Sequence, residues 1–200
     1  MACPVPASKA SNKHSVPKSP PHHPPRMTLP ELGSVPMCVN VRAARPGDGE
    51  GISRAWMSAA KYYADLDPEH FQVPTADGLA ERWDGELGQV DEGSLQLVAE
   101  VDQVVGWLAA RIEEPIPNAS AQLTREPGWI RLVVDALVVQ REHWRHGAGA
   151  ALLDAAETWG RSRGAHVARL DTYIGSPVSV PFYEDRMGYE RRAIVFQKQL

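Results

Sequence analysis

The chain has 200 residues, 43% of them hydrophobic, and a formal net charge of -4 at pH 7. That length suits one domain with an ordinary core, and the mild acidity argues against a nucleic-acid binder, which would carry a basic face. Cys3 and Cys38 specify neither a disulfide framework nor a metal site, and no run of about 18 apolar residues or signal-like leader is seen, so a cytoplasmic protein without a membrane span is expected.

Residues 1–36 are rich in Pro, Ser, His and Lys around Pro20-Pro21-His22-His23-Pro24-Pro25, and a disordered tail is expected there. Lys9, Lys13, Lys18 and Arg26 face only Glu31 in that stretch, so the remainder is more acidic than the total. The folded domain is expected over 37–200. Met37 to Arg42 reads as a first strand, and Ile52, Trp56, Ala59 and Ala60 recur at helical spacing, predicting a helix over 50–64. Pro68 can open a further helix at its first turn. Asp77-Gly78 is a turn signal, after which Leu79, Trp83 and Leu87 resume a helical period with Glu81, Asp84 and Glu86 toward solvent.

Ser94–Glu100 and Val104–Ile112 read as a hairpin turned at Asp102-Gln103, and 113–127, with three prolines, as a loop. Trp129–Val139 is apolar on both faces and predicts a central strand. There follow a turn holding Gly147 and Gly149 and a helix to about Arg163, with Leu152, Leu153, Ala156 and Trp159 on one side and Gly164 as its C-cap. Val167–Tyr173 then forms a strand parallel to 129–139 through a right-handed crossover. A short helix over 177–187 and one or two closing strands over 189–199 complete the expected fold. It is an α/β (α+β) domain, a mixed, largely antiparallel twisted sheet with helices on both faces.

The turn between the 129–139 strand and its helix is the strongest site signal. The first N–H groups of a helix have no internal partner and sit at the positive end of its dipole, so they favour an anion. Gly147 and Gly149 let a phosphate approach that backbone.

These residues resemble the GNAT superfamily of acyl-CoA-dependent N-acyltransferases. Trp144-Arg145-His146-Gly147-Ala148-Gly149 is similar to its Gln/Arg-x-x-Gly-x-Gly/Ala signature, with Trp144 where Gln or Arg is usual. Ser176 to Tyr189 resembles the second signature, Asn-x-x-Ala-x-x-Leu/Phe-Tyr-x-x-x-Gly-Phe/Tyr; Ser176 replaces Asn, Ser179 replaces Ala, and Tyr183 and Gly188-Tyr189 are present with four residues between them where the signature has three. The resemblance covers about residues 37–200 and implies acetyl-CoA as cofactor. Its diphosphate would lie on Arg145, His146, Gly147, Ala148, Gly149 and Ala150, its pantetheine arm along Leu137, Val138 and Val139 like an added strand, with Ser176 and Tyr183 beside it.

The resemblance also implies Tyr183 as the acid that protonates the leaving thiolate. Asp135, an acid among apolar neighbours, is the candidate base through a water; the period of two puts it on the same face as Val139. The alternative for Asp135 is a structural carboxylate paired with backbone or arginine. Tyr62-Tyr63-Ala64-Asp65-Leu66-Asp67-Pro68-Glu69-His70 lies where the fold lines its acceptor side, and carboxylates with tyrosines suit a small cationic amine. A peptide or protein amine, and a non-catalytic acyl-CoA-binding module, stand as alternatives. Relatives are often dimers, so a homodimer is a further expectation.

Overall fold

The computed structural model describes residues 38–89 and 91–198. The expected disordered tail, 1–36, lies outside the described residues. Among the described residues the sheet has five strands in the order of the chain: β1 (Asn40–Ala43), β2 (Ser94–Glu100), β3 (Val104–Glu113), β4 (Arg131–Val139) and β5 (Val167–Arg169). The first four pair antiparallel, and β5 joins β4 in parallel.

Alternation along the strands divides the core between two faces. On one face α1 (Gly49–Leu66) and α2 (Leu79–Leu87) bury Ile52, Ala55, Leu79, Trp83 and Leu87 against Val98, Val104, Trp107 and Val138. On the other, α3 (Ala148–Ser162) buries Leu152, Leu153 and Ala156 against Leu97, Val105, Leu108, Leu132 and Val134. Gly164, at φ +79°, follows the end of α3 as expected for a C-cap. Among the described residues no helix is long and apolar enough to cross a membrane.

Four local expectations are corrected. No helix opens at Pro68: residues 68–70 are a turn and 71–76 irregular, because Pro74 interrupts the segment and few of its side chains are buried. The strand expected over 167–173 stops at Arg169, and the chain then leaves the sheet. The short helix is one α turn, α4 (Ser179–Pro181), running into a π turn over Phe182–Arg186. Residues 189–198 form no strand; Ile194, Val195 and Phe196 are exposed, with the Glu190–Arg192 charges just before them.

Asp84 is also not simply solvent-facing. Its Oδ1 accepts the N–H groups of Gly47 and Gly49 at 2.8 and 2.9 Å and so seats the start of α1 against α2.

Candidate active site

β4 and β5 share only a short register, Arg131–Val133 against Val167–Arg169. Beyond it β4 runs on to Val139 with β3 on one side and, among the described residues, no strand on the other. Gln140 N–H donates to the Val105 carbonyl of β3 at 2.8 Å. The Val139 carbonyl is trans to that N–H across one peptide bond and therefore points away from β3, into the gap. By the period of two, the N–H and C=O groups of Leu137 and Val139 face the gap, while those of Val138 bond β3. Leu137 and the N–H of Val139 thus offer a strand edge to an extended ligand, while the Val139 carbonyl is taken by the Trp144 indole N–H at 2.8 Å.

The chain leaves this edge through a 3-10 turn, Arg141–His143, and reaches α3. Gly147 has φ +92°, a conformation in which a side chain would be strained, and a Cβ built there would meet nothing within 4 Å. Arg145, at φ +63°, accepts the left-handed region without being glycine. Among the described residues no acceptor takes the N–H groups from Arg145 to Ala150; the first internal bond of the helix is Ala151 N–H to the Gly147 carbonyl at 2.9 Å. Unpartnered donors in series, at the positive end of a 15-residue helix and before open space, fit a diphosphate. The side chains of Arg145 and His146 are exposed beside them.

The second signature packs onto the first. A Cβ at Gly149 would lie 3.5 Å from Phe182 Cζ and 3.8 Å from Val139 Cγ2, so the π turn, α3 and the end of β4 converge at that glycine. Tyr189 reinforces the junction by donating its hydroxyl to Glu157 of α3 at 3.0 Å. Tyr183 packs against the core on the α3 side. Burial, helped by Tyr63 and Asp171 nearby, pushes its pKa well above the ordinary phenol range. Like any phenol it carries its proton at neutral pH, and burial makes it a weaker acid than an exposed tyrosine.

Asp135 does not share a face with Val139. Ala109 pairs with Ala136 and Ala110 with Val134, so Asp135 is the extra residue of a β-bulge and the alternation changes phase there. Leu132 and Val134 face α3 before the bulge and Leu137 and Val139 after it, whereas Asp135 pairs with Arg111 on the opposite face and is partly exposed. The bulge depends on the partner strand and leaves no mark in the β4 sequence alone. Ser176 is buried, and its hydroxyl is engaged within the protein: it bonds Tyr62 at 2.9 Å and accepts Ser179 N–H at 3.0 Å.

The C-terminal end of α1 supplies an aromatic and acidic wall. Tyr63 lies against Phe71 with ring centroids 5.0 Å apart, and Phe71 meets Tyr173 edge-on at 5.1 Å. Tyr173 donates its hydroxyl to Asp67 at 2.9 Å, a bond that holds its own pKa above the usual range. Trp144 and Tyr173 are the site neighbours that residue patterns did not assign a role; Tyr62, read with the acceptor lining, packs against Trp144 and bonds Ser176.

Among curated proteins none matches the sequence. Among solved structures, a mutant BH1408 protein from Bacillus halodurans is similar with a TM-score of 0.68 and 16% identity, over 80% of this chain and 99% of that one. AAC(6')-Iy, in complex with the bisubstrate analog CoA-S-monomethyl-acetylneamine, is similar with a TM-score of 0.53 and 18% identity, over 82% and 99%. An aminoglycoside acetyltransferase from an uncultured soil metagenomic sample, in complex with sisomicin, gives 0.52 and 15%, over 81% and 96%. At these identities the likeness establishes the fold. The sequence profile of the acetyltransferase (GNAT) family matches residues 56–189, two thirds of the chain and both turns of the site, and the protein belongs to that family.

Proposed function

We propose that the protein transfers the acetyl group of acetyl-CoA to the primary amine of a small cationic molecule. The observation that carries this reading is the run of unpartnered N–H groups from Arg145 to Ala150 beside the open edge of β4. When bound, acetyl-CoA supplies an activated acyl group as a thioester, whose leaving thiolate must take up a proton.

The chain's own residues then divide the work. Backbone from Arg145 to Ala150 would hold the diphosphate, with the side chains of Arg145 and His146 adding charge at the rim. The edge groups of Leu137 and the N–H of Val139 would align the pantetheine arm, with Val138 packed behind them, and the β4 backbone next to the bulge would polarise an acyl oxygen. Tyr183, a protonated phenol beside the junction of the two signatures, would donate the proton. Asp135 is paired with Arg111 on the α1 side of the bulge, which favours its structural role; as a base it would take the amine's proton through a water.

The acceptor class rests on the wall formed by Tyr63, Phe71, Tyr173 and Asp67 with Asp171 nearby, where ring faces and carboxylates favour a cation. The two aminoglycoside-type complexes among the similar folds lend the same direction. The test is release of free thiol from acetyl-CoA across diamines, amino sugars and peptides with a free amino group. Turnover confined to the small cations supports the proposal, and turnover with peptides alone overturns the acceptor class. Cofactor binding without thiol release from any amine would favour the binding-module alternative. Tyr183→Phe should lower kcat about 100-fold with coenzyme A affinity unchanged; an unaltered kcat removes Tyr183 from the proton transfer.

A further inference from the structure

Three residues of this chain replace those usual in the two signatures: Trp144, Ser176 and Ser179. In space all three meet the tyrosine pair of α1. The Tyr62 ring stands edge-to-face against Trp144 with centroids 4.9 Å apart and an interplanar angle of 89°. Its hydroxyl bonds Ser176 Oγ at 2.9 Å, with both residues buried. Tyr63 bonds Ser179 Oγ at 2.8 Å. One turn earlier on α1, Ser58 Oγ accepts Arg141 N–H at 2.9 Å, on the same side of the helix as Tyr62.

Trp144 is held from its other end as well. Its indole N–H donates to the Val139 carbonyl at 2.8 Å, the gap-facing carbonyl at the end of β4. The path runs from Val139 through Trp144 and Tyr62 to Ser176, from the turn that follows β4 to the turn that follows β5. Those two turns bound the gap between the strands, and little sheet pairing joins them, since the β4–β5 register ends at Val133 and Arg169.

We propose that Tyr62 is a positioning residue of the cofactor site, a clasp that fastens the 140–147 turn to the 173–179 turn and so sets the width of the gap that receives the cofactor arm. The inference deepens the acetyl-CoA reading and rests on it for the ligand. The clasp joins three residues that a Gln or Arg, an Asn and an Ala would replace in the usual pattern. Such side chains would offer neither the ring face that Tyr62 packs against nor the short hydroxyls that the two tyrosines bond.

The test uses the full chain with Tyr62→Phe, which keeps the ring against Trp144 and removes the hydroxyl, and Ser176→Ala, which removes the same bond from the other side. Coenzyme A affinity is measured by calorimetry, and amide hydrogen exchange is followed in the cofactor-free protein. Each single variant should weaken coenzyme A binding roughly fivefold, the size of one neutral hydrogen bond. The double variant should be no weaker than Ser176→Ala, which loses the Ser179 N–H bond as well and in which the bond that Tyr62→Phe removes is already absent. Exchange should quicken in both turns, including 140–147, whose direct contacts neither substitution touches. Affinity within experimental error of the parent, or faster exchange at 173–179 alone, overturns the clasp. Wild-type protein that fails to bind coenzyme A overturns the acetyl-CoA reading instead, and the exchange data then decide whether the two turns are linked.

Discussion

The turn from β1 to α1 and the turn from β4 to α3 each place a glycine at positive φ just before a helix, Gly47 at +103° and Gly147 at +92°. In the first turn the exposed donors are met from within: Asp84 takes the N–H groups of Gly47 and Gly49, and Asp48 takes that of Arg45 at 2.9 Å. In the second, the donors from Arg145 to Ala150 have no such acceptor among the described residues. Two local backbones of similar plan therefore differ in one respect: whether the fold brings its own carboxylate to the helix N-terminus. A helix start becomes an anion site where none is supplied.

The largest effect comes from breaking the filled turn. A Cβ at Gly49 would lie 2.2 Å from the Ala80 carbonyl oxygen and 2.8 Å from Asp84 Oδ1, too close for either helix to keep its place. Gly49→Ala should therefore cost about 3 kcal/mol of stability, read as a lower urea midpoint. An unchanged midpoint would show that α1 and α2 can separate cheaply, and with it that Asp84 is not fixed in the turn.

Converting the empty turn into a filled one tests the comparison from the other side. Ala150 stands in the first turn of α3. An aspartate there would favour the helix by about 0.3–1 kcal/mol and bring a negative charge to the donors. Ala150→Asp should then lower coenzyme A affinity about tenfold or more, roughly 1.4 kcal/mol, with a melting temperature at or above the parent's. Ala150→Asn, of nearly the same size but uncharged, separates charge from bulk. Equal losses in the two variants would mean that sterics, not the electrostatics of the helix start, decides binding there.

The second turn was legible in the sequence because everything it needs is local: an apolar run, two glycines and a helix of period 3.6 within some twenty residues. The hairpin of β2 and β3 and the parallel β5 follow from equally short patterns. The first turn's logic was not legible, since Asp84 reaches it from another helix and in sequence resembles any solvent-facing acid. The same holds for the bulge at Asp135, which exists only against Ala109 and Ala110 of β3. Tyr62 and Ser176, 114 residues apart, are joined by one bond that no periodicity announces. Tyr183 was found through its signature, yet the burial that raises its pKa is a product of the assembled core.

The smallest effect sharpens what a built-in carboxylate does for the first turn. Burial alone would raise the pKa of Asp48, but two bonds from Arg42, at 2.7 and 2.8 Å, and the Arg45 N–H outweigh it and hold the carboxyl below its usual range. Because these influences oppose one another, the net stabilisation is what remains after partial cancellation. A carboxyl whose folded pKa is depressed stabilises the fold fully above its unfolded value, near 3.9, and loses that contribution as pH falls through the folded value. Other carboxylates titrate in the same window, so the informative quantity is the stability gap between the parent and Asp48→Asn. It should be widest at pH 6–7 and should narrow below about pH 4 as Asp48 becomes protonated in the parent. A gap that stays constant from pH 7 to pH 3 would mean that Asp48 acts through shape and hydrogen bonding that an amide cannot reproduce. The charge pairing with Arg42 would then contribute nothing to holding the start of α1.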